Sequence, residues 1–157
     1  MGVKIGSIVR VLGISIDPAG GHPRLYGVIL SGSLASPTIE DSFEFRSSDS
    51  DPSEQVADLA RLLLGKLPGL QFDAAVIRTA GPSPVARRNK AQFSRAHAEG
   101  AALFVLREHL GIPVRTGDPQ ALAKCVGQKK DALVAKASAL PSKLDPTIAA
   151  LGGFPRT

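Results

Sequence analysis

Apolar runs and alternating side chains predict several strands along the chain. Residues 8–17 are rich in β-branched side chains and stop before a proline, which predicts a first and central strand. Residues 25–30 form a second apolar run after a glycine-rich turn. Residues 42–46 alternate apolar and polar side chains, which is typical of a half-exposed third strand. Two shorter apolar segments, 72–79 and 114–116, predict two further strands.

Helical spacing of apolar side chains separates and follows the later strands. One helix is predicted over 56–65, with Ser50 or Ser53 as its N-terminal cap. A long helix is predicted over 89–110, with apolar positions at Phe93, Ala96, Gly100, Leu103, Phe104 and Leu110. Three further helices are predicted: one from Pro119 with Asp118 as N-cap, one over 129–140, and a short one near 146–151.

The order of these elements indicates the fold class. Three consecutive strands followed by alternating helices and strands predict an antiparallel meander extended by βα units. This is an α/β mixed sheet with helices on both faces. The 157 residues suit one domain over 1–157 with a core of its own. No apolar run reaches the length of a membrane span, and the first residues lack the pattern of a signal peptide, so we expect a cytoplasmic protein.

Charge divides the chain unevenly. The net charge is −3 over residues 1–77, +7 over 78–140 and +1 over 141–157. The basic second half can hold a polyanion, although an ordinary solvated surface is the alternative. With six phenylalanines, one tyrosine and no tryptophan, the composition favours backbone recognition over stacking of single-stranded bases. The candidate phosphate-binding residues are Arg78, Arg87, Arg88, Lys90, Arg95, Lys124, Lys129 and Lys130.

Two residues stand out for their chemistry. Asp17 ends the first predicted strand, where open α/β sheets expose functional groups, and carboxylates at such an edge can hold Mg²⁺ or Mn²⁺ beside a phosphodiester. The alternative is that Asp17 caps the turn that begins at Pro18.

Cys125 is the single cysteine, so an internal disulfide is excluded. Because it lies beside the apolar Val126, we expect Cys125 to be a small buried apolar residue.

Three segments of the chain carry motifs that can be compared with a known family. Residues 16–19 read Ile-Asp-Pro-Ala and 26–29 read Tyr-Gly-Val-Ile. They resemble the RuvC family of Holliday junction resolvases, in which a strand ends in Ile-Asp-Pro-Gly before a hairpin. Residues 93–102 are similar to its long-helix pattern. Residues 112–130 are similar to its Pro-Val segment, basic helix and lysine-bearing helix. The resemblance implies an RNase H-like fold, a homodimer packed through the long helix, a nucleic-acid partner (DNA more than RNA), and metal-dependent cleavage.

The chain departs from that family at the metal ligands. The family has a glutamate on the strand before the long helix, where this chain has Arg78 or Thr79. It also has two acidic or histidine residues one turn apart on the last helix; here Asp145 matches the first and Ile148 replaces the second. The resemblance therefore leaves Asp17 and Asp145 as catalytic and metal-binding candidates. An arginine beside Asp17 disfavours a divalent cation, so Mg²⁺ or Mn²⁺ binding would be weak.

Three hypotheses follow. The leading one is a RuvC-like protein that binds duplex or branched DNA, with impaired or lost nuclease activity. The second is a working Mg²⁺- or Mn²⁺-dependent endonuclease, which requires Asp145 with Glu44 or Asp131 to converge on Asp17. The third is a protein-interaction subunit, which predicts an exposed apolar patch in place of a basic groove.

Overall fold

The computed structural model describes residues 8–80 and 90–156, and its strands form one sheet. The strands are β1 (Val9–Asp17), β2 (Arg24–Gly32), β3 (Pro37–Arg46), β4 (Ala74–Arg78) and β5 (Arg115–Gly117). Their order in the sheet is β3-β2-β1-β4-β5. β1, β2 and β3 pair antiparallel, while β4 pairs parallel to β1 and β5 parallel to β4. The first strand is therefore central, as the sequence predicts.

Helices cover both faces of this sheet. They are α1 (Pro52–Lys66), α2 (Lys90–Leu110), α3 (Pro119–Cys125), α4 (Lys130–Ser138) and α5 (Leu144–Leu151). α1 and α2 pack on one face, over a core that includes Leu12, Ile14 and Ile77. α3, α4 and α5 pack on the other, over a core that includes Val11 and Val76. The predicted fold class is confirmed. Within the two described ranges, no helix is long and apolar enough to cross a membrane.

Aspartates cap two of the helices. Asp118 caps α3 as predicted, and its carboxylate accepts the N–H of Ala121 at 2.8 Å. The prediction of Ser50 or Ser53 as the cap of α1 is wrong. Asp51 is the N-cap, and its carboxylate accepts the N–H of Glu54 at 3.0 Å. Asp51 directly precedes Pro52, which suits the first helical position because proline has no N–H to satisfy there.

The helix α5 lies closer to the sheet than side chains would ordinarily allow. A Cβ added at Gly13, in the middle of β1, would lie 2.0 Å from the carbonyl oxygen of Pro146 and 2.4 Å from the amide nitrogen of Ala150. Glycine at this position therefore lets the α5 backbone rest directly on the central strand. All residues of α5 from Pro146 to Leu151 are buried. The short last helix of the sequence analysis is thus real, and it begins at Leu144.

Two expectations about burial need correction. Cys125 is exposed, because α3 turns Leu122, Ala123 and Val126 toward the core and leaves the cysteine on its outer side. Most of the apolar positions noted in α2 also lie away from the core. The buried residues of α2 are Ala98, Ala102, Val105 and Leu106, whereas Phe93 is 53% and Phe104 66% exposed.

Candidate functional site

Asp17 lies at the carboxyl end of the central strand. Its side chain is exposed, and its Oδ1 accepts the N–H of Ala19 at 3.0 Å. This is the turn-capping role that the sequence analysis gave as the alternative, and it leaves further lone pairs of the carboxylate open to other partners. Across the β1–β2 ladder, Arg24 is the direct neighbour of Asp17. One cation therefore already stands beside this carboxylate.

The turn after Asp17 is fixed by a buried side chain of α1. Gln55 is 3% exposed, and its Nε2 donates to the carbonyl oxygens of Gly21 and Asp49, each at 2.9 Å. One amide group thus joins the turn of Ala19–Gly21 to the segment that leads into α1. Because the Gln55 side chain is buried and both bonds are partly shielded from water, they hold the exit of β1 in place and with it the Asp17 carboxylate.

Arg78 is one of the two residues, with Thr79, at which the resemblance expects a glutamate. It is the last residue of β4 and pairs in register with Ser15, two residues before Asp17. Its side chain is 19% exposed, and its Nε lies 3.6 Å from Oδ1 of Asp145 at the start of α5. Its Nη1 donates to the carbonyl oxygen of Thr79 at 3.2 Å. The guanidinium of Arg78 therefore lies at the edge of the sheet between β1, which carries Asp17, and α5, which carries Asp145.

A second ion pair lies on α2, beside the first. Nε of Arg95 lies 3.3 Å from Oε2 of Glu99, and the side chains are 19% and 13% exposed. Burial raises the pKa of Glu99 above its ordinary value, while Arg95 and, more weakly, Arg78 act in the opposite direction. The positive charges of both arginines thus act on the pKa of Glu99. Two guanidiniums and two carboxylates, from β4, α2 and α5, form one electrostatic network.

Two adjoining cavities surround this network. One of about 220 Å³ is lined by charged and aromatic side chains from four elements and the α4–α5 loop, among them Asp17, Tyr26, Arg95, Lys143 and Asp145. The other, of about 340 Å³, is lined by Arg78, Gln120, Lys130, Asp145 and Ile148, among others. Leu144 and Asp145 line both cavities. They therefore form one groove over the carboxyl edge of the sheet.

The sequence analysis did not identify Glu99, Lys143 and Tyr26. The Nζ of Lys143 lies 4.6 Å from the centre of the Tyr26 ring, a cation–π contact that holds the ammonium at the groove. The Arg95–Glu99 spacing of four residues on a predicted helix was a usable signal for an ion pair. Lys143 and Tyr26 gave no such signal, since they meet through the packing of α5 against the sheet.

The other predicted phosphate-binding residues are dispersed. Lys130 lines the groove, whereas Lys90 lines a separate cavity of about 310 Å³ with Phe93 and His97. Lys124 and Lys129 are exposed, at the end of α3 and the start of α4, and line neither cavity of the groove. The predictions for Arg87 and Arg88 lie outside the described residues.

The residues present do not fit a divalent metal centre. Within 8–80 and 90–156, no group of three or more His, Cys, Asp and Glu side chains is arranged to hold a metal ion. Glu44 lines a third cavity, which shares Tyr26 and Lys143 with the groove but is lined by neither Asp17 nor Asp145. Asp131 on α4 lines neither half of the groove. The convergence on Asp17 that the endonuclease hypothesis requires is thus not found in the described part of the chain. Ile148, at the second acidic position, is 2% exposed.

Comparison with known proteins gives a structural match but no sequence match. No family model matches the chain, and no curated protein does. Among solved structures, the chain is similar to RuvC of Thermus thermophilus, with 19% identity, 92% of each chain covered and a TM-score of 0.65. It is also similar to the T. thermophilus RuvC in complex with a Holliday junction substrate, with 17% identity, 92% of each chain covered and a TM-score of 0.68. The chain has the RNase H-like fold that RuvC has.

Proposed function

We propose that this protein binds nucleic acid, DNA in preference to RNA, in the groove over the carboxyl edge of its sheet, and that it has lost metal-dependent cleavage there. The observation that carries the proposal is the Arg78–Asp145 ion pair: a guanidinium lies beside a candidate metal ligand, at the edge where a metal-dependent nuclease needs further acidic groups. The fold supports the choice of partner, since a RuvC of the same fold was solved with a Holliday junction.

The cations of the groove suit a phosphate backbone. Arg95 and Lys143 line one half of it, and Arg78 and Lys130 line the other. Side chains of this type bind phosphate oxygens without reading sequence, and each contact adds a salt-dependent increment to the affinity. Duplex or branched DNA is the expected ligand, because the groove offers one ring, Tyr26, which is 7% exposed and thus a poor platform for stacking bases.

Fluorescence anisotropy tests the binding site. Labelled four-way junction and linear duplex are titrated with wild type, Lys130→Ala and Lys136→Ala at several salt concentrations. Lys136 is the matched control, because it lies on the same helix and lines neither half of the groove. We expect Lys130→Ala to weaken binding and reduce the salt slope by about 1, while Lys136→Ala stays near wild type. Equal effects of the two substitutions would contradict binding in the groove.

A cleavage assay tests the loss of nuclease activity. Four-way junction and linear duplex are incubated with Mg²⁺ or Mn²⁺ and with wild type or Asp17→Asn, and the products are separated on denaturing gels. We expect no cleavage by either protein. Junction cleavage by wild type that disappears in Asp17→Asn would instead establish the active endonuclease of the second hypothesis.

We further propose that the protein forms a homodimer through α2. Phe93, Gly100 and Phe104 follow one another at spacings of seven and four residues, so they share one helix face, and all three are exposed. Apart from its own neighbours and helix backbone, no atom of the described part of the chain lies within 4 Å of a Cβ built at Gly100, which would let a second helix approach closely. A second copy would cover two large apolar side chains that otherwise face water.

A further inference from the structure

Arg78 has an unusual environment for an arginine. Its Nε is buried and has no hydrogen-bond partner within residues 8–80 and 90–156, although Asp145 lies 3.6 Å away. A buried donor without a partner is costly, so such a group in a folded protein needs an explanation, and one explanation is a role at a binding site. The guanidinium is oriented toward the carboxylates of the site and is incompletely satisfied by the protein itself.

Cations already outnumber the carboxylates around Arg78. The carboxylates of Asp17, Glu99 and Asp145 are accompanied by the cations of Arg78, Arg95 and Lys143. Arg24 is a further cation, the direct neighbour of Asp17 across the β1–β2 ladder. The influence of Arg78 extends to Glu99 as well as to Asp145. A divalent cation would add two positive charges beside a buried guanidinium that cannot lose its own charge. The network is therefore complete without a metal.

We propose that Arg78 is a built-in replacement for the divalent cation of this site. Its guanidinium pairs with Asp145, acts on Glu99 only weakly and, with Arg95 and Lys143, presents cationic donors directly to a phosphodiester. Arginine suits this role, because its planar fork matches the oxygens of a phosphate and its charge is permanent. The part about phosphate rests on the proposed function, whereas the part about the metal does not. No covalent bond changes in this interaction.

Binding of Mn²⁺ without nucleic acid is the decisive measurement. Free Mn²⁺ is followed by electron paramagnetic resonance during titration of wild type, Arg78→Glu and Arg107→Glu. Arg107 is the matched control, since it is exposed on α2 and gives the same change of charge. We expect Arg78→Glu to bind Mn²⁺ at least about tenfold more tightly than the other two, because a third carboxylate then joins Asp17 and Asp145. Tight binding by wild type, or equal binding by both variants, would overturn the proposal.

A neutral variant covers the case in which Arg78→Glu does not fold. Arg78→Gln removes the internal cation without adding a carboxylate, so we expect its melting temperature to rise on addition of Mn²⁺ while that of wild type stays constant. A wild type that is stabilised as much as Arg78→Gln would refute the replacement. Because these experiments contain no DNA, their result stands even where the proposed function fails.

Anisotropy then tests the phosphate contact. At matched ionic strength, we expect the affinity of wild type for duplex DNA to be the same with EDTA and with Mg²⁺. We expect Arg78→Gln to bind about tenfold more weakly in both buffers. Wild-type binding that requires Mg²⁺ would contradict the inference, and so would an Arg78→Gln variant that binds as tightly as wild type.

Discussion

Glu99 carries its carboxylate in a largely buried position between two arginines. Burial raises its pKa, which means that the folded protein holds the Glu99 proton more tightly than the unfolded chain does. The folded state therefore binds more protons in the interval between the ordinary glutamate pKa and the raised value. Its stability falls as the pH rises through that interval, and the neutral form of Glu99 is the more favourable one for folding.

This relation gives a pH-dependent prediction. Relative to Glu99→Gln, wild type should lose free energy of unfolding as the pH rises above the ordinary pKa of glutamate, and the difference should level off once Glu99 is ionised in both states. Urea unfolding at intervals between about pH 4 and about pH 8 measures it. Glu108→Gln, on the exposed side of the same helix, serves as the control. If wild type instead gains free energy of unfolding relative to Glu99→Gln as the pH rises, the arginines outweigh burial.

Gln55 gives a second prediction for a single residue. Gln55→Ala would remove the donor of two partly buried hydrogen bonds, to the carbonyl oxygens of Gly21 and Asp49. We expect the free energy of unfolding to fall by about 1–2 kcal/mol, since each such bond contributes about 0.5–1.5 kcal/mol. Gln120→Ala, at an exposed position of α3, should change it little. Equal unfolding midpoints for the two variants would mean that the turn after Asp17 is held in another way.

Single residues of the site were only partly predictable. Asp17 was identified because it ends a buried strand, and Asp145 through the resemblance to RuvC. The capping aspartate of α1 was misassigned, because Ser50, Asp51 and Ser53 are all good capping residues and the choice depends on where the helix begins. The ion pair between Arg78 and Asp145 could not be predicted, because the two residues are far apart in the sequence and meet only through the position of α5.

At the scale of elements, α5 determines the geometry of the site. It rests on β1 at Gly13, and its first turn carries Asp145 to the sheet edge next to Arg78. The hydroxyl of Thr147, which is fully buried, donates to the carbonyl oxygen of Lys143 at 2.5 Å and so fixes the start of the helix. The distance between Asp145 and the sheet thus depends on how closely two backbones approach.

Gly13→Ala tests this close approach. The added methyl group would overlap backbone atoms of Pro146 and Ala150, which side-chain rotation cannot relieve. We expect the free energy of unfolding to fall by about 2 kcal/mol or more, measured by urea unfolding. Gly65→Ala is the control; apart from its own neighbours and helix backbone, its methyl group would meet no atom of the described chain within 4 Å. Alanine in a helix is favoured over glycine by about 0.5–1 kcal/mol. A neutral Gly13→Ala variant would refute the assigned packing.

Whole elements were easier to predict than their buried faces. The five strands follow from apolar runs and alternation, and the helices from spacing and caps. α2 shows the limit of the method: it buries Ala98 and Ala102, while the large rings of Phe93 and Phe104 face outward. Small residues permit close packing against α1 and the sheet, so hydrophobicity alone does not mark the inner face.

At the scale of the whole molecule, the exposed rings of α2 predict an assembly. If a second copy covers Phe93 and Phe104, replacing Phe104 with glutamate should shift the protein toward the monomer, because a buried unpaired charge is unfavourable at such an interface. Sedimentation velocity at several concentrations measures the shift. Leu64→Glu, on the exposed side of α1, is the matched control and should leave the assembly unchanged. If wild type sediments as a monomer at all concentrations, the proposed homodimer is wrong.

The contact between Gly13 and α5 also has a consequence for the order of folding. The two segments lie more than 130 residues apart in the chain, so their meeting closes a very long loop. Contacts of this separation slow folding, because the chain loses much entropy before they form. During synthesis, β1 emerges early and must wait for α5 before that face of the sheet is covered. We therefore expect Asp17 and Asp145 to come together late, and a chain whose synthesis has not yet reached α5 to lack the groove.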